Sequence, residues 1–244
     1  MKVLGLMLAS NNVEAGSSYG AMVEACKKTW HKNIPDNFNI FSVFADSYDL
    51  FSVKDKIKPN EYKVVDNDII VNINESRDNL LKKTILGLEF LLNNYEFDYV
   101  FRPNCGSYIN LNNLNKYLKD KPLKKYYDGP KNCLDWYKNI PYSSGSCMIF
   151  SRDVAELLVN DKDNMEYRCI DDTTIAIHLH KNNISLYTEK SWRPSGTDPF
   201  RLLMNTVEEL DENFNKDTYH YYFRHTLNPN LIYRCHELTL QHEL

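Results

Sequence analysis

Two hydrophobic periods alternate along this chain. Lys2 to Ala9 is apolar at nearly every position, the pattern of a strand covered on both faces, and it stops at Ser10-Asn11-Asn12. Gly16 to Trp30 then places Ala21, Met22, Ala25, Cys26 and Thr29 on one side of a helix. Phe38 to Phe44 is a second strand, followed by Ala45-Asp46-Ser47-Tyr48, and Glu61 to Val65 and Asp68 to Val71 are two shorter ones. Asn72, Asn74 and Glu75 open a loop. Asp78 to Leu92 is the clearest helix, with Leu80, Leu81, Thr84, Leu88, Leu91 and Leu92 at three- and four-residue spacing. It feeds a short buried strand, Asp98 to Phe101. Strands and helices in single alternation predict an α/β fold of the doubly wound class: one domain, a mainly parallel sheet and helices on both faces.

The second half is less regular. Leu111 to Leu118 reads as a helix capped by Asn110. Tyr126 to Pro141 lacks periodicity and carries Asp, Gly, Pro, Asn and Trp, which suits a loop lining a cleft. Tyr142 to Phe150 runs from the small-residue turn Ser143-Ser144-Gly145-Ser146 into a strand, and Ser151 is placed to cap a helix reaching Val159. Asp171 and Asp172 precede a helix over Thr173 to His180, and Ile184 to Tyr187 reads as a strand. Beyond Glu189 the pattern weakens into a stretch, Asp217 to His225, rich in Tyr and His.

Composition narrows the partners. The 244 residues carry a formal net charge of -4 with no lysine-arginine block, which argues against nucleic acid as the main partner. The opening apolar run is too short for a signal peptide or membrane anchor and fits a core strand better. Six cysteines lie at wide spacings, with Cys26 and Cys147 inside apolar patterns as buried thiols are. These features together point to a reduced, cytoplasmic protein with no stable membrane insertion.

Candidate chemistry concentrates at strand ends. After Asp98-Tyr99-Val100-Phe101 the chain places Arg102, Asn104, Gly106 and Ser107 within six residues. Ligands of open α/β sheets bind beyond the carboxyl ends of strands, so Arg102 and Asn104 are expected to be exposed there. The Asp171-Asp172 pair opens a helix, where unpaired N–H groups favour negative charge. One aspartate is expected to cap, and Asp172 is the candidate general base. His178 and His180 are two apart on a helix and cannot chelate as a pair. His220 and His225, together with Asp46, are weak metal candidates. No HExxH, CxxC, GxSxG, GxxxxGK[ST] or GxGxxG occurs.

Four segments in order resemble the β-1,3-galactosyltransferase-like glycosyltransferases. They are Ala25-Cys26-Lys27-Lys28-Thr29-Trp30; Asp68-Ile69-Ile70 with Glu75-Ser76-Arg77-Asp78-Asn79-Leu80 and Lys83-Thr84-Ile85-Leu86-Gly87-Leu88; Tyr142 to Asp153; and Ile170-Asp171-Asp172-Thr173. The resemblance covers residues 1 to 190 and implies a GT-A (Rossmann-like) core, leaving 191 to 244 as an extension that packs on it and closes the cleft. It implies an inverting transferase taking a nucleotide-diphosphate sugar of the UDP or GDP type to a glycan or glycoconjugate hydroxyl. Asp172 falls on the family's catalytic aspartate, with Asp171 beside it. Donor-side candidates are Ser10, Asn11, Asp46, Arg77, Lys83, Arg102 and Asn104, and acceptor-side candidates are Trp136, Ser144 and Gly145.

One position departs from that family. Its Asp-x-Asp motif, which holds Mn²⁺ against the diphosphate, is replaced here by Arg102-Pro103-Asn104, as in a viral and bacterial branch of similar proteins. A guanidinium can fork directly onto phosphate oxygens, so use of Mn²⁺ or Mg²⁺ is left open. Two other readings stay beside the transferase: a sugar-phosphate nucleotidyltransferase, and a non-catalytic glycan- or nucleotide-binding module.

Overall fold

The computed structural model describes residues 1–10, 19–45, 58–134, 139–165, 170–187, 206–213, 222–224 and 228–243. Its centre is β1 (Val3–Ala9), buried along its whole length. Val3, Met7 and Ala9 face one apolar cluster and Leu4, Leu6 and Leu8 the other, so the continuous apolar run is two period-2 faces superposed. β2 (Phe38–Phe44) and β5 (Tyr99–Pro103) pair with β1 in parallel on its two sides.

The full sheet has seven strands in the order β3-β4-β2-β1-β5-β10-β7, where β3 is Tyr62–Val65, β4 Asp68–Val71, β7 Tyr127–Asp128 and β10 Cys147–Ser151. It is mixed rather than mainly parallel. The pairs β1–β2, β1–β5 and β2–β4 are parallel, whereas β3–β4, β5–β10 and β10–β7 are antiparallel. At the β3 edge the reason is local: only Asp66 and Asn67 join β3 to β4, and so short a link makes a hairpin.

Helices cover both faces. α1 (Tyr19–Lys28) and α3 (Leu111–Leu118) lie on one side, and α2 (Leu80–Asn94), α4 (Arg152–Asn160) and α5 (Asp171–Lys181) on the other. α2 approaches closely because Gly87 has no side chain; a Cβ there would stand 2.8 Å from the Leu6 tip and 3.0 Å from Val43. Asn110 caps α3 as expected, its side chain accepting from Asn113 N at 3.0 Å. Ser151 sits at the N-cap of α4 but does not cap it. Its hydroxyl donates to Asp153 at 2.5 Å and accepts from Tyr126 N at 3.0 Å instead.

Several segments differ from expectation. The stretch Tyr126 to Pro141 contributes β7 and an antiparallel hairpin of β8 (Lys131–Leu134) with β9 (Ile140–Ser143), so much of it is ladder rather than loop. Ile184 to Tyr187 forms no strand, yet it lies along the sheet edge: Tyr187 N donates to Tyr127 O at 2.7 Å and the Tyr187 ring packs on Tyr126. Past Glu189 the described residues include α6 (Val207–Asn213), β11 (Tyr222–Arg224) and α7 (Pro229–Glu243). α7 buries Leu231, Ile232 and Cys235 in the same cluster as α1, and β11 pairs antiparallel with β6 (Ser107–Ile109).

Candidate active site

β1 has β2 on one side and β5 on the other, so the order of connection reverses between β1 and β5, and the strand ends there mark the crevice in which open α/β sheets take their ligands. Its floor is backbone locked in place. Asn104 bridges to Leu8, Cys105 N donates to Leu8 O at 3.0 Å, and Asn104 N donates to Ser146 O at 3.2 Å. The Asn104 side chain folds back, accepting from Gly106 N and the Ser107 hydroxyl at 3.0 Å each, as Asx turns do. That hydroxyl has one proton, and Ser146 O, 2.8 Å away, is its alternative acceptor. The 144–146 turn is therefore fastened to the end of β5.

Lys83 arrives from the first turns of α2. It is buried, and its Nζ donates to Ala9 O at 2.5 Å and to Glu75 at 2.7 Å. Burial lowers its proton affinity, and the Glu75 carboxylate opposes that shift. Lys83 thus joins the end of β1 to the loop after β4. Beside it, burial pushes the Cys105 thiol up to about 11. Ser10 ends β1 and is nearly buried. Arg77 lies in the 3-10 turn Arg77–Asn79 that leads into α2, and it is exposed.

Arg102 is not where the sequence suggested. β5 runs on through Pro103, paired with β10, so Arg102 lies within the sheet opposite Met148 and is 1% exposed. Its guanidinium forms an ion pair with Asp171, donates to Thr84 Oγ1 from Nε at 3.3 Å and Nη2 at 3.2 Å, and donates from Nη1 to Gly145 O at 2.6 Å. A charge this buried needs its partner close by, and the partner is a carboxylate from the start of α5. The expected free fork onto a diphosphate is turned inward.

Asp171, expected to satisfy helix amides, makes no capping bond; its carboxylate faces Arg102. Asp172 bonds to two amides instead. Oδ2 accepts from Gly145 N and Oδ1 from Thr173 N, both at 2.8 Å. Burial raises its proton affinity, as does the neighbouring Asp171, while the two N–H groups and Arg102 hold it back. Each oxygen keeps a second lone pair, so the carboxylate can still accept a proton.

The structure therefore brings Ser10, Lys83, Arg102, Asn104, Ser144, Gly145, Asp171 and Asp172 to one end of the sheet, with Arg77 at the start of the adjoining helix. Asn11, Asp46, Trp136, His220 and His225 lie outside the described residues. Among the described residues no group of three or more His, Cys, Asp or Glu could hold a metal ion. At the end of β5, Asn104 in an Asx turn and a buried Arg102 do not fit a carboxylate metal site. Sequence reasoning missed Glu75 and Thr84. A threonine inside the leucine stripe of α2 was the available signal for Thr84.

No protein-family model matches the chain. In sequence it is similar to β-1,3-galactosyltransferase 1 of Mus musculus and of Homo sapiens, 24% identical over 183 residues that take in 66% of this chain and 56% of each relative. The chain thus spans about half the length of these relatives. Among solved structures, the mannosyltransferase PcManGT from Pyrobaculum calidifontis, in complex with GDP-Man and Mn²⁺, covers 97% of this chain and 69% of its own at 11% identity and a TM-score of 0.46. The glycosyltransferase GlyE of Streptococcus pneumoniae TIGR4 covers 91% and 55% at 10% identity and a TM-score of 0.47. The chain is an α/β protein with a mixed sheet and flanking helices, similar in sequence to glycosyltransferases over two thirds of its length.

Proposed function

We propose that the chain is an inverting glycosyltransferase that moves a sugar from a nucleotide-diphosphate donor to a hydroxyl acceptor, with Asp172 as general base. The observation that carries this reading is the Asp172 carboxylate. It stands at the start of α5 beside the crevice, oriented by two backbone amides, with its proton affinity raised by burial and by Asp171. A base so tuned takes a proton more readily than an ordinary carboxylate. It would accept the proton of the acceptor hydroxyl as that oxygen attacks the anomeric carbon, from the face opposite the leaving nucleoside diphosphate.

Exposed Arg77 is the donor-side cation for the diphosphate in this reading, with Ser10 and Asn104 as neutral contacts. Because the end of β5 does not fit a carboxylate metal site, no step is routed through a metal. The test is release of nucleoside diphosphate from UDP-galactose, UDP-glucose and GDP-mannose, each with EDTA and with Mn²⁺. Turnover by the parent with an acceptor, and loss of about a hundredfold or more in Asp172→Asn, is expected. Activity abolished by EDTA and restored by micromolar Mn²⁺ would assign the diphosphate charge to a bound metal rather than to Arg77. One observation favours a binding module: both Asp172 oxygens already accept bonds and the residue is 7% exposed. Donor binding without any turnover would select that reading.

A further inference from the structure

Three contacts and one peptide link form a closed loop through Arg102. Nη2 pairs with Asp171; Asp171 is covalently joined to Asp172; Asp172 Oδ2 accepts from Gly145 N at 2.8 Å; and Gly145 O accepts from Arg102 Nη1 at 2.6 Å. The Gly145 residue is thus gripped at both its polar atoms, the N–H by a carboxylate and the carbonyl by a guanidinium. The fit is close: a Cβ on Gly145 would stand 3.3 Å from Nη1, which would have to give by a few tenths of an ångström, and 3.4 Å from Asp172 Oδ2. Thr84 anchors the guanidinium from α2, so the loop ties together β5, the turn before β10 and the start of α5.

We infer that Arg102 is a positioning residue, whose buried guanidinium holds Asp171, Asp172 and the 144–146 turn in one mutual geometry. The catalytic meaning of that geometry rests on Asp172 being the base; the ring of contacts does not. A cation beside Asp171 offsets the repulsion that Asp171 exerts on an ionised Asp172, and so helps to keep the base free to take a proton. Arg102 supplies the cation from inside the sheet. The exposed face of the crevice then meets Asp172 rather than the guanidinium.

The experiment compares Asp171→Asn with Arg102→Met/Asp171→Asn in the full chain. In the first the amide oxygen still accepts from Arg102, and in the second the guanidinium is gone without stranding a buried aspartate. Amide exchange at Gly145 is followed by NMR, and the Asp172 carboxyl is titrated through its ¹³C shift. The double variant is expected to exchange Gly145 about tenfold faster or more, while amides of β1 stay at the single variant's rate. Its Asp172 midpoint is expected to rise by about one unit, the lower end of what a neighbouring opposite charge supplies. Equal exchange and equal midpoints in the two variants overturn the inference. If the double variant does not fold, Arg102→Lys replaces it, since one ammonium cannot reach Thr84, Gly145 and Asp171 together. Parental Gly145 protection in Arg102→Lys likewise overturns it. Neither readout uses turnover, so a protein without transferase activity leaves the ring standing, and failure of the ring leaves the transferase reading standing.

Discussion

At Asp172, burial and the adjacent Asp171 both make ionisation more costly in the folded chain than in the unfolded one. The folded state therefore binds this proton more tightly, and the residue subtracts stability as pH rises from the ordinary carboxylate range through its raised value. Asp172→Asn removes that cost, and the amide oxygen can still accept from Gly145 N. Its melting temperature at pH 7 is expected to equal or exceed the parent's, with the gap closing as pH falls below the ordinary carboxylate range. Transfer is expected to fall by about a hundredfold or more in the same protein. A melting temperature that falls in step with activity would instead make Asp172 a structural residue. Lys83 behaves oppositely, because its loss strands Glu75. Lys83→Met is expected to cost about 3–5 kcal/mol in urea unfolding, and Lys83→Met/Glu75→Gln clearly less, as for buried pairs generally.

At the scale of elements, the crevice depends on close approaches that glycine permits. Gly129 joins β7 to β8 at φ +146, where a Cβ would fall 1.8 Å from Ser143 Oγ and 2.4 Å from Cys147 O. The second atom is backbone of β10 and cannot swing aside. Gly129→Ala is expected to cost about 2–4 kcal/mol, combining left-handed strain with overpacking. Because β9, the 144–146 turn and β10 all lean on this corner, Gly145 amide exchange should quicken along with the shift in urea midpoint. An unchanged midpoint would mean the corner relaxes freely. The same elements explain the cleft-lining stretch that the sequence left irregular: two-residue and four-residue strands are too short to show a period.

Across the whole molecule, the described residues past 205 contribute apolar side chains to one of the two faces of the sheet. Leu210, Leu231, Ile232, Cys235 and Leu238 are buried in the cluster that also holds Met22, Cys26, Leu111 and Leu114. Removing residues 206–244 uncovers that face, and the truncated chain is expected to bind an apolar dye and to lose its cooperative melting transition. A truncated chain that melts cooperatively near the parental temperature would show that residues 1–205 form an independent core. β11 pairs with β6 directly after Asn104-Cys105-Gly106, so the same removal strips one strand from the margin of the crevice. Among the described residues no helix is long and apolar enough to cross a membrane.

The sequence by itself determined β1, β2, β5 and α2, because burial on one or two faces writes a period into neighbouring residues. It also placed Asp171 and Asp172 at a helix start, since caps and apolar stripes are local. The partners of charged groups were decided by tertiary structure alone. Arg102 follows an apolar strand and precedes a proline, which locally reads as a strand running out into solvent. Only the antiparallel return of β10 extends the ladder through Pro103, and only the fold brings Asp171 across a separation of 69 residues to pair with the guanidinium. Desolvation then fixes the outcome: a guanidinium enclosed on all sides must meet a carboxylate, and no period in the chain records which one.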